Sequence, residues 1–146
     1  MEWNKIKNIF GTPEAKREKA RVLVVDDNPL IITVLCELLS ALDCETITAE
    51  NGAEALKLTR GKKPDLVLLD MLMPNMSGVS VLRTLKQDAA TKSIPVIVVS
   101  GEQKGNDLNT AFNLGACDYI IKPVRKNEFD AKVRAALTSL GFSKPN

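Results

Sequence analysis

Among its 146 residues the chain has no histidine. That absence excludes Ser-His-Asp and Cys-His catalysis, His-ligated metal sites and self-phosphorylation on histidine. Cysteine is scarce: Cys36, Cys44 and Cys117 are odd in number and share no CxxC spacing. Neither a disulfide framework nor a structural zinc site is suggested, and free interior thiols are the simpler reading. Long apolar runs are missing as well. No early segment has the hydrophobic stretch of a signal peptide, and no run approaches the roughly 20 apolar residues of a membrane span. These absences point to a cytoplasmic protein with no membrane span. Aromatic residues make up only 4% of the chain, so a core has to come from Val, Ile, Leu and Ala.

What is present suits one folded domain. The composition is 45% hydrophobic and 26% charged, ordinary for a globular chain of this length. The net charge of +2 is unevenly placed: residues 1–21 carry six Lys/Arg against three Asp/Glu, and residues 22–146 carry fourteen against fifteen. A nearly neutral body lacks the concentrated basic face that phosphate neutralisation requires, so no nucleic-acid partner is expected. Residues 1–20 read as a basic N-terminal extension, 21–140 as the domain and 141–146 as a short tail. In the extension Trp3, Ile6 and Phe10 have loosely helical spacing. It reads as mobile or lightly docked, with a partner- or membrane-contacting segment as the alternative.

From Arg21 onward compact apolar runs alternate with amphipathic ones. Val22 to Val25, Thr46 to Ala49, Leu66 to Leu69, Val96 to Val99 and Tyr119 to Ile121 are short, rich in β-branched residues and bounded by turn formers. They predict five strands, three of them apolar enough to be buried on both faces. Asn28-Pro29 opens a helix carrying Ile31, Leu35, Leu38 and Leu42. Asn51 caps a second, with Ala53, Leu56 and Leu58 on its apolar face and Gly61 as its stop. Ser77 precedes a third bearing Val81, Leu82 and Leu85. Leu108, Ala111 and Phe112 mark a fourth that stops at Gly115, and a fifth from Lys126 places Phe129, Val133, Leu137 and Leu140 on one stripe. This alternation implies an α/β fold, a doubly wound five-stranded parallel sheet of order 2-1-3-4-5, flavodoxin-like (βα)5. Its crevice opens at the carboxyl ends of the strands, at the switch point between strands 1 and 3.

That rim would gather chemistry. Strand 1 runs into Asp26 and Asp27, and strand 3 ends at Asp70. Three carboxylates together repel strongly enough to ask for a cation, and oxygen ligands suit Mg²⁺ or Mn²⁺. Ser100 and Gly101 follow strand 4, and Lys122 and Pro123 follow strand 5. A hydroxyl, a backbone amide and an ammonium complement the oxygens of a phosphoryl group transferred to a carboxylate.

Four stretches carry a family resemblance. They are Val24-Val25-Asp26-Asp27-Asn28, Leu68-Leu69-Asp70-Met71-Leu72-Met73-Pro74-Asn75-Met76-Ser77-Gly78, Val98-Val99-Ser100-Gly101, and Gly115-Ala116-Cys117-Asp118-Tyr119-Ile120-Ile121-Lys122-Pro123. In this order, at predicted strand ends, they resemble the receiver domain of two-component response regulators, of the single-domain, chemotaxis-regulator-like type. The resemblance implies that Asp70 is the phosphoacceptor, that Asp27 and Asp70 ligate Mg²⁺ directly, and that Asp26 acts mainly through water. It also implies the Leu72 carbonyl as a metal ligand, Ser100 and Lys122 as phosphoryl contacts, and Ser100 with Tyr119 as switch residues. Plain strand-end packing is the simpler alternative for Tyr119. The attacking water of dephosphorylation would pass between Leu72 and Glu102. Met71, Met73 and Met76 read as flexible gap-fillers.

The implied function is a phosphorylation-dependent signalling switch, fed by a separate histidine kinase or phosphotransfer protein. It would not be an enzyme beyond its own phosphoryl transfer and slow dephosphorylation. With about six residues after the last helix, the output is expected through protein contacts, to a downstream target or a second copy, on the surface of helix 4, strand 5 and helix 5. A haloacid-dehalogenase-type phosphohydrolase expects a second Asp where Leu72 stands. A pseudo-receiver that binds partners without phosphorylation would not need the complete acceptor set.

Overall fold

The computed structural model describes residues 18–73, 75–101 and 105–142, the side chains of 105–107 excepted. The segment around Trp3, Ile6 and Phe10, and Glu102, lie outside the described residues. In chain order the elements are β1 (Arg21–Val25), α1 (Pro29–Ala41), β2 (Glu45–Ala49), α2 (Gly52–Lys62), β3 (Leu66–Leu69), α3 (Gly78–Gln87), β4 (Val96–Ser100), α4 (Gly105–Asn113), β5 (Asp118–Ile121) and α5 (Lys126–Ser139). All five strands are parallel, in the order β2-β1-β3-β4-β5. The doubly wound fold expected from the alternation of runs is thus present.

Alternate side chains of each strand feed two cores, because successive residues of a strand point to opposite faces. Leu23, Val25, Val67, Leu69, Val96 and Val98 pack on one side with Val81, Leu82 and Leu85 of α3 and Ala111 of α4. Val22, Val24, Leu66, Leu68, Ile97, Val99 and Ile120 pack on the other with Leu35 and Leu39 of α1 and Phe129, Val133 and Leu137 of α5. Every residue of β3 and β4 is buried, as strands covered on both faces must be.

Helix starts follow the cap residues. Asn28 Oδ1 accepts from Leu30 N at 2.9 Å, Asn51 Oδ1 from Glu54 N at 2.8 Å, and Ser77 Oγ from Ser80 N at 3.3 Å. Two expectations for α2 are corrected. Gly61 does not end it: the helix continues to Lys62, and Lys63 takes the left-handed turn at φ 47°. Ala53 is exposed, and the buried face is Gly52, Ala55 and Thr59, with the Thr59 hydroxyl donating to Ala55 O at 2.7 Å. Among the described side chains of α4 only Ala111 is buried, whereas Leu108 and Phe112 face outward. That helix does stop before Gly115, which adopts φ 107°.

The core reaches past both expected boundaries. Ala20 is buried, and its carbonyl accepts from Glu45 N at 2.8 Å. At the other end Phe142 N donates to Leu137 O and Gly141 N to Thr138 O, the bond pattern of a Schellman stop that folds the Phe142 ring onto the α1–α5 core. Among the described residues, no helix is long and apolar enough to cross a membrane.

Candidate functional site at the strand ends

Strand register builds the site. Val25 pairs with Leu69, so the residues that follow leave the sheet side by side, and Asp70 N donates to Val25 O at 2.9 Å. On the far side Ser100 pairs with Ile121, and Lys122 N donates to Ser100 O at 2.9 Å. Backbone pairing alone therefore brings Asp26, Asp70, Ser100 and Lys122 to one rim.

Asp26, Asp27 and Asp70 each present a carboxylate oxygen, all within 4.8 Å of one another. Asp26 and Asp70 are buried, while Asp27 is exposed. The Lys122 ammonium lies 2.7 Å from Asp26 Oδ2 and 3.7 Å from Asp70 Oδ2. Three carboxylates against one ammonium leave an excess of two negative charges in a partly desolvated cleft. A divalent cation held by oxygen donors matches that excess, and the all-carboxylate set fits hard Mg²⁺.

The remaining carboxylate oxygens are held by backbone. Asp26 Oδ1 accepts from Asn28 N at 2.9 Å, which ties the acid to the start of α1. Asp70 Oδ1 accepts from Leu72 N at 3.1 Å. Burial raises the Asp70 carboxyl above its ordinary pKa, while the Leu72 amide and Lys122 pull it down and Asp26 and Asp27 push it up. Ser100 is fully buried, and its Oγ has no hydrogen-bond partner. An orphaned buried hydroxyl costs about 1–3 kcal/mol, a cost that an incoming anionic oxygen would relieve.

Leu72 is 58% exposed at the mouth of the site, an apolar side chain where a polar one could have oriented water. Tyr119 is buried on the α3–α4 side of the sheet, its carbonyl accepting from Lys132 Nζ at 2.6 Å. Two features escaped the sequence reading. Lys122 pairs with Asp26 more closely than with Asp70. Gly78 supports the loop after β3: its N–H donates to Met71 O at 3.1 Å, and a Cβ there would lie 2.2 Å from the Asp70 carbonyl oxygen. Ser77-Gly78 shows in sequence as a helix cap, but nothing in the pair signals that α3 abuts the Asp70 backbone.

Comparison with known proteins agrees with this architecture. The family model described as response regulator receiver domain matches residues 22–134. Protein PilH of Pseudomonas aeruginosa is 37% identical over 118 residues, covering 81% of this chain and 98% of PilH. The DNA-binding response regulator MtrA of Mycolicibacterium smegmatis is 35% identical over 119 residues, covering 82% of this chain but only 51% of MtrA. The chain therefore spans nearly all of one relative and about half of the other. A CheY-like receiver domain structure from Methanospirillum hungatei superimposes with a TM-score of 0.77 at 26% identity, covering 83% of this chain and 95% of that one. Since the matched region includes all of the sheet but its first residue, Arg21, and every residue of its acidic rim, the chain belongs to the response regulator receiver domain family.

Proposed function

We propose that this chain is a phosphorylation-dependent switch of a two-component phosphorelay, in which Asp70 accepts a phosphoryl group from a separate histidine kinase or phosphotransfer protein. The carrying observation is the Lys122 ammonium poised 2.7 Å from Asp26 and 3.7 Å from Asp70 within the three-carboxylate rim. In the transfer a carboxylate oxygen of Asp70 attacks phosphorus, the P–N bond of the donor phosphohistidine breaks, and an acyl phosphate forms. The transferred group is stabilised mainly by positioning and charge. Lys122 neutralises one phosphoryl oxygen, and the orphaned Ser100 hydroxyl donates to another.

Asp27, Asp70 and the Leu72 carbonyl would hold Mg²⁺, with Asp26 acting mainly through water. Bound there, the ion would offset the negative charge of the acyl phosphate as it forms. The chain performs no chemistry beyond this transfer and slow hydrolysis, and it acts in the cytoplasm. A donor must reach the rim, and Leu30 and Val34 stand exposed one turn apart on α1, beside Asn28, which is bonded to Asp26. Output to a downstream protein or a second copy fits the face of α4, β5 and α5. There Leu108, Phe112 and Ile121 are large, apolar and exposed.

Incubation with acetyl phosphate and Mg²⁺, read by intact mass, tests the reading. One added phosphoryl group is expected on the wild type, none on Asp70→Asn, and none with chelator. Efficient labelling of the Asn variant would refute the acceptor assignment.

A further inference from the structure

We infer that Met76 is a redox modification site. Oxidation of its thioether by a peroxide releases the loop behind Asp70 and slows phosphorylation. The functional consequence rests on Asp70 being the acceptor; the modification and the loop release do not.

The chain has four methionines: Met1, outside the described residues, and three around Asp70. Met71 and Met73 are 5% and 8% exposed, shielded in the core. Met76 is half-buried and lines an open cavity of about 330 Å³ with Asn51, Gly52, Ala53 and Asn75. A small oxidant therefore reaches the Met76 side chain more readily than those of Met71 and Met73.

Two of the three thiols, Cys44 and Cys117, compete weakly. Thiol oxidation proceeds through the thiolate. Burial pushes the Cys44 thiol up to about 11 and also raises Cys117. A thioether needs no deprotonation. Its sulfur attacks one peroxide oxygen, the O–O bond breaks and an S–O bond forms. The sulfoxide and one water result, the sulfur having lost two electrons to the peroxide.

The seat of that sulfur explains the effect. A Cβ added to Gly52 would lie 2.8 Å from Met76 Cγ, 2.8 Å from Met76 Sδ and 2.8 Å from Val81 Cγ2. Met76 thus lies against the glycine that opens α2 and packs on the core cluster that includes Val81 of α3. It pins the segment that joins Asp70 to α3. A sulfoxide oxygen adds bulk and a strong acceptor to a seat formed by a glycine backbone and a valine methyl. Expelled from the seat, Met76 no longer braces the loop whose Leu72 amide holds Asp70 Oδ1 at 3.1 Å.

The test treats the full chain with graded hydrogen peroxide and maps oxidation by peptide mass spectrometry. It then measures amide exchange over residues 70–78 and the rate of phosphorylation by acetyl phosphate with Mg²⁺. Expected results are that Met76 oxidises before Met71 and Met73, and that exchange over the segment accelerates. Phosphorylation should slow about tenfold, since small misplacements of a reacting group cost rate steeply. Methionine sulfoxide reductase should restore the rate, and Met76→Leu should keep its own rate after peroxide. Oxidation of Met71 or Met73 ahead of Met76, or a fully oxidised Met76 with unchanged exchange and rate, would overturn the inference. If the reduced wild type took up no phosphoryl group, the acceptor reading would fail, and amide exchange would still decide whether Met76 releases the loop.

Discussion

Replacing Asp70 by Asn should stabilise the metal-free protein. The rim oxygens lie within 4.8 Å of one another, a distance at which two like charges repel by about 3.5 kcal/mol at an effective dielectric of 20 and about 0.9 kcal/mol in water. Asp26 is buried, so its repulsion of Asp70 sits near the larger figure; Asp27 is exposed, so its repulsion sits near the smaller one. Lys122, at 3.7 Å from Asp70, returns about 4.5 kcal/mol on the first scale. The charge terms nearly cancel. Burial then decides the sign, in keeping with the raised pKa of the Asp70 carboxyl. An amide of the same shape escapes that penalty, and a gain of about 1–2 kcal/mol is expected. In urea with chelator present, the midpoint should rise by roughly 0.5–1 M, given a slope of about 2 kcal/mol/M for a domain of this size. Added Mg²⁺ should stabilise the wild type by about 1.4 kcal/mol for each tenfold excess over its dissociation constant, and the variant much less. An Asn variant no more stable than wild type in chelator, or an equal Mg²⁺ response in both, would refute the reasoning.

Three further outcomes are expected. Leu72→Asn should speed hydrolysis of the phosphorylated protein about 2- to 10-fold, the worth of one water-orienting hydrogen bond. An unchanged rate in a mass-resolved decay would dismiss Leu72 as the gate to water. Cys44 holds its proton because burial, then Asp43 and Asp65, raise its pKa from 9.0 to about 11. Its peptide-resolved alkylation at pH 8 should therefore be roughly 100-fold slower than in the unfolded chain; labelling at the unfolded rate would show the thiol to be free. Beryllofluoride with Mg²⁺ should alter amide exchange across residues 105–130 as well as beside Asp70, and Ser100→Ala should weaken the distant change more than metal binding. Exchange changes confined to the loops around Asp26, Asp27 and Asp70 would remove the case for a switch through Ser100 and Tyr119.

The sheet was legible because its central strands are buried on both faces: Leu66–Leu69 and Val96–Val99 can hardly be anything but central parallel strands. Their carboxyl ends then placed Asp26, Asp70, Ser100 and Lys122 on one rim without any knowledge of side-chain contacts. Helix faces were less legible where small residues do the packing. In α2 the expected Leu56 and Leu58 do pack against the core, but Ala53 is exposed, and an apolarity pattern passes over the fully buried Gly52, Ala55 and Thr59. Gly61 continues that helix because a helical glycine costs only about 1 kcal/mol, and the stop falls to Lys63 instead. Leu108 and Phe112 show the opposite failure. Their spacing marks a helix, but sequence alone does not tell a core face from an exposed one. At the site, the division of Lys122 between Asp26 and Asp70, and the contact of Gly78 with the Asp70 backbone, depend on distances of a few ångströms that no residue pattern encodes.

The most direct measurement is to locate the phosphoryl group itself. Wild-type protein phosphorylated with acetyl phosphate and Mg²⁺ should be reduced with borohydride, which converts an aspartyl phosphate to homoserine, then digested and sequenced by tandem mass spectrometry. Conversion is expected at Asp70 alone, and it should vanish when Mg²⁺ is chelated. Conversion at Asp26 or Asp27, or phosphorylated protein in which Asp70 survives unreduced, would contradict Asp70 as the acceptor.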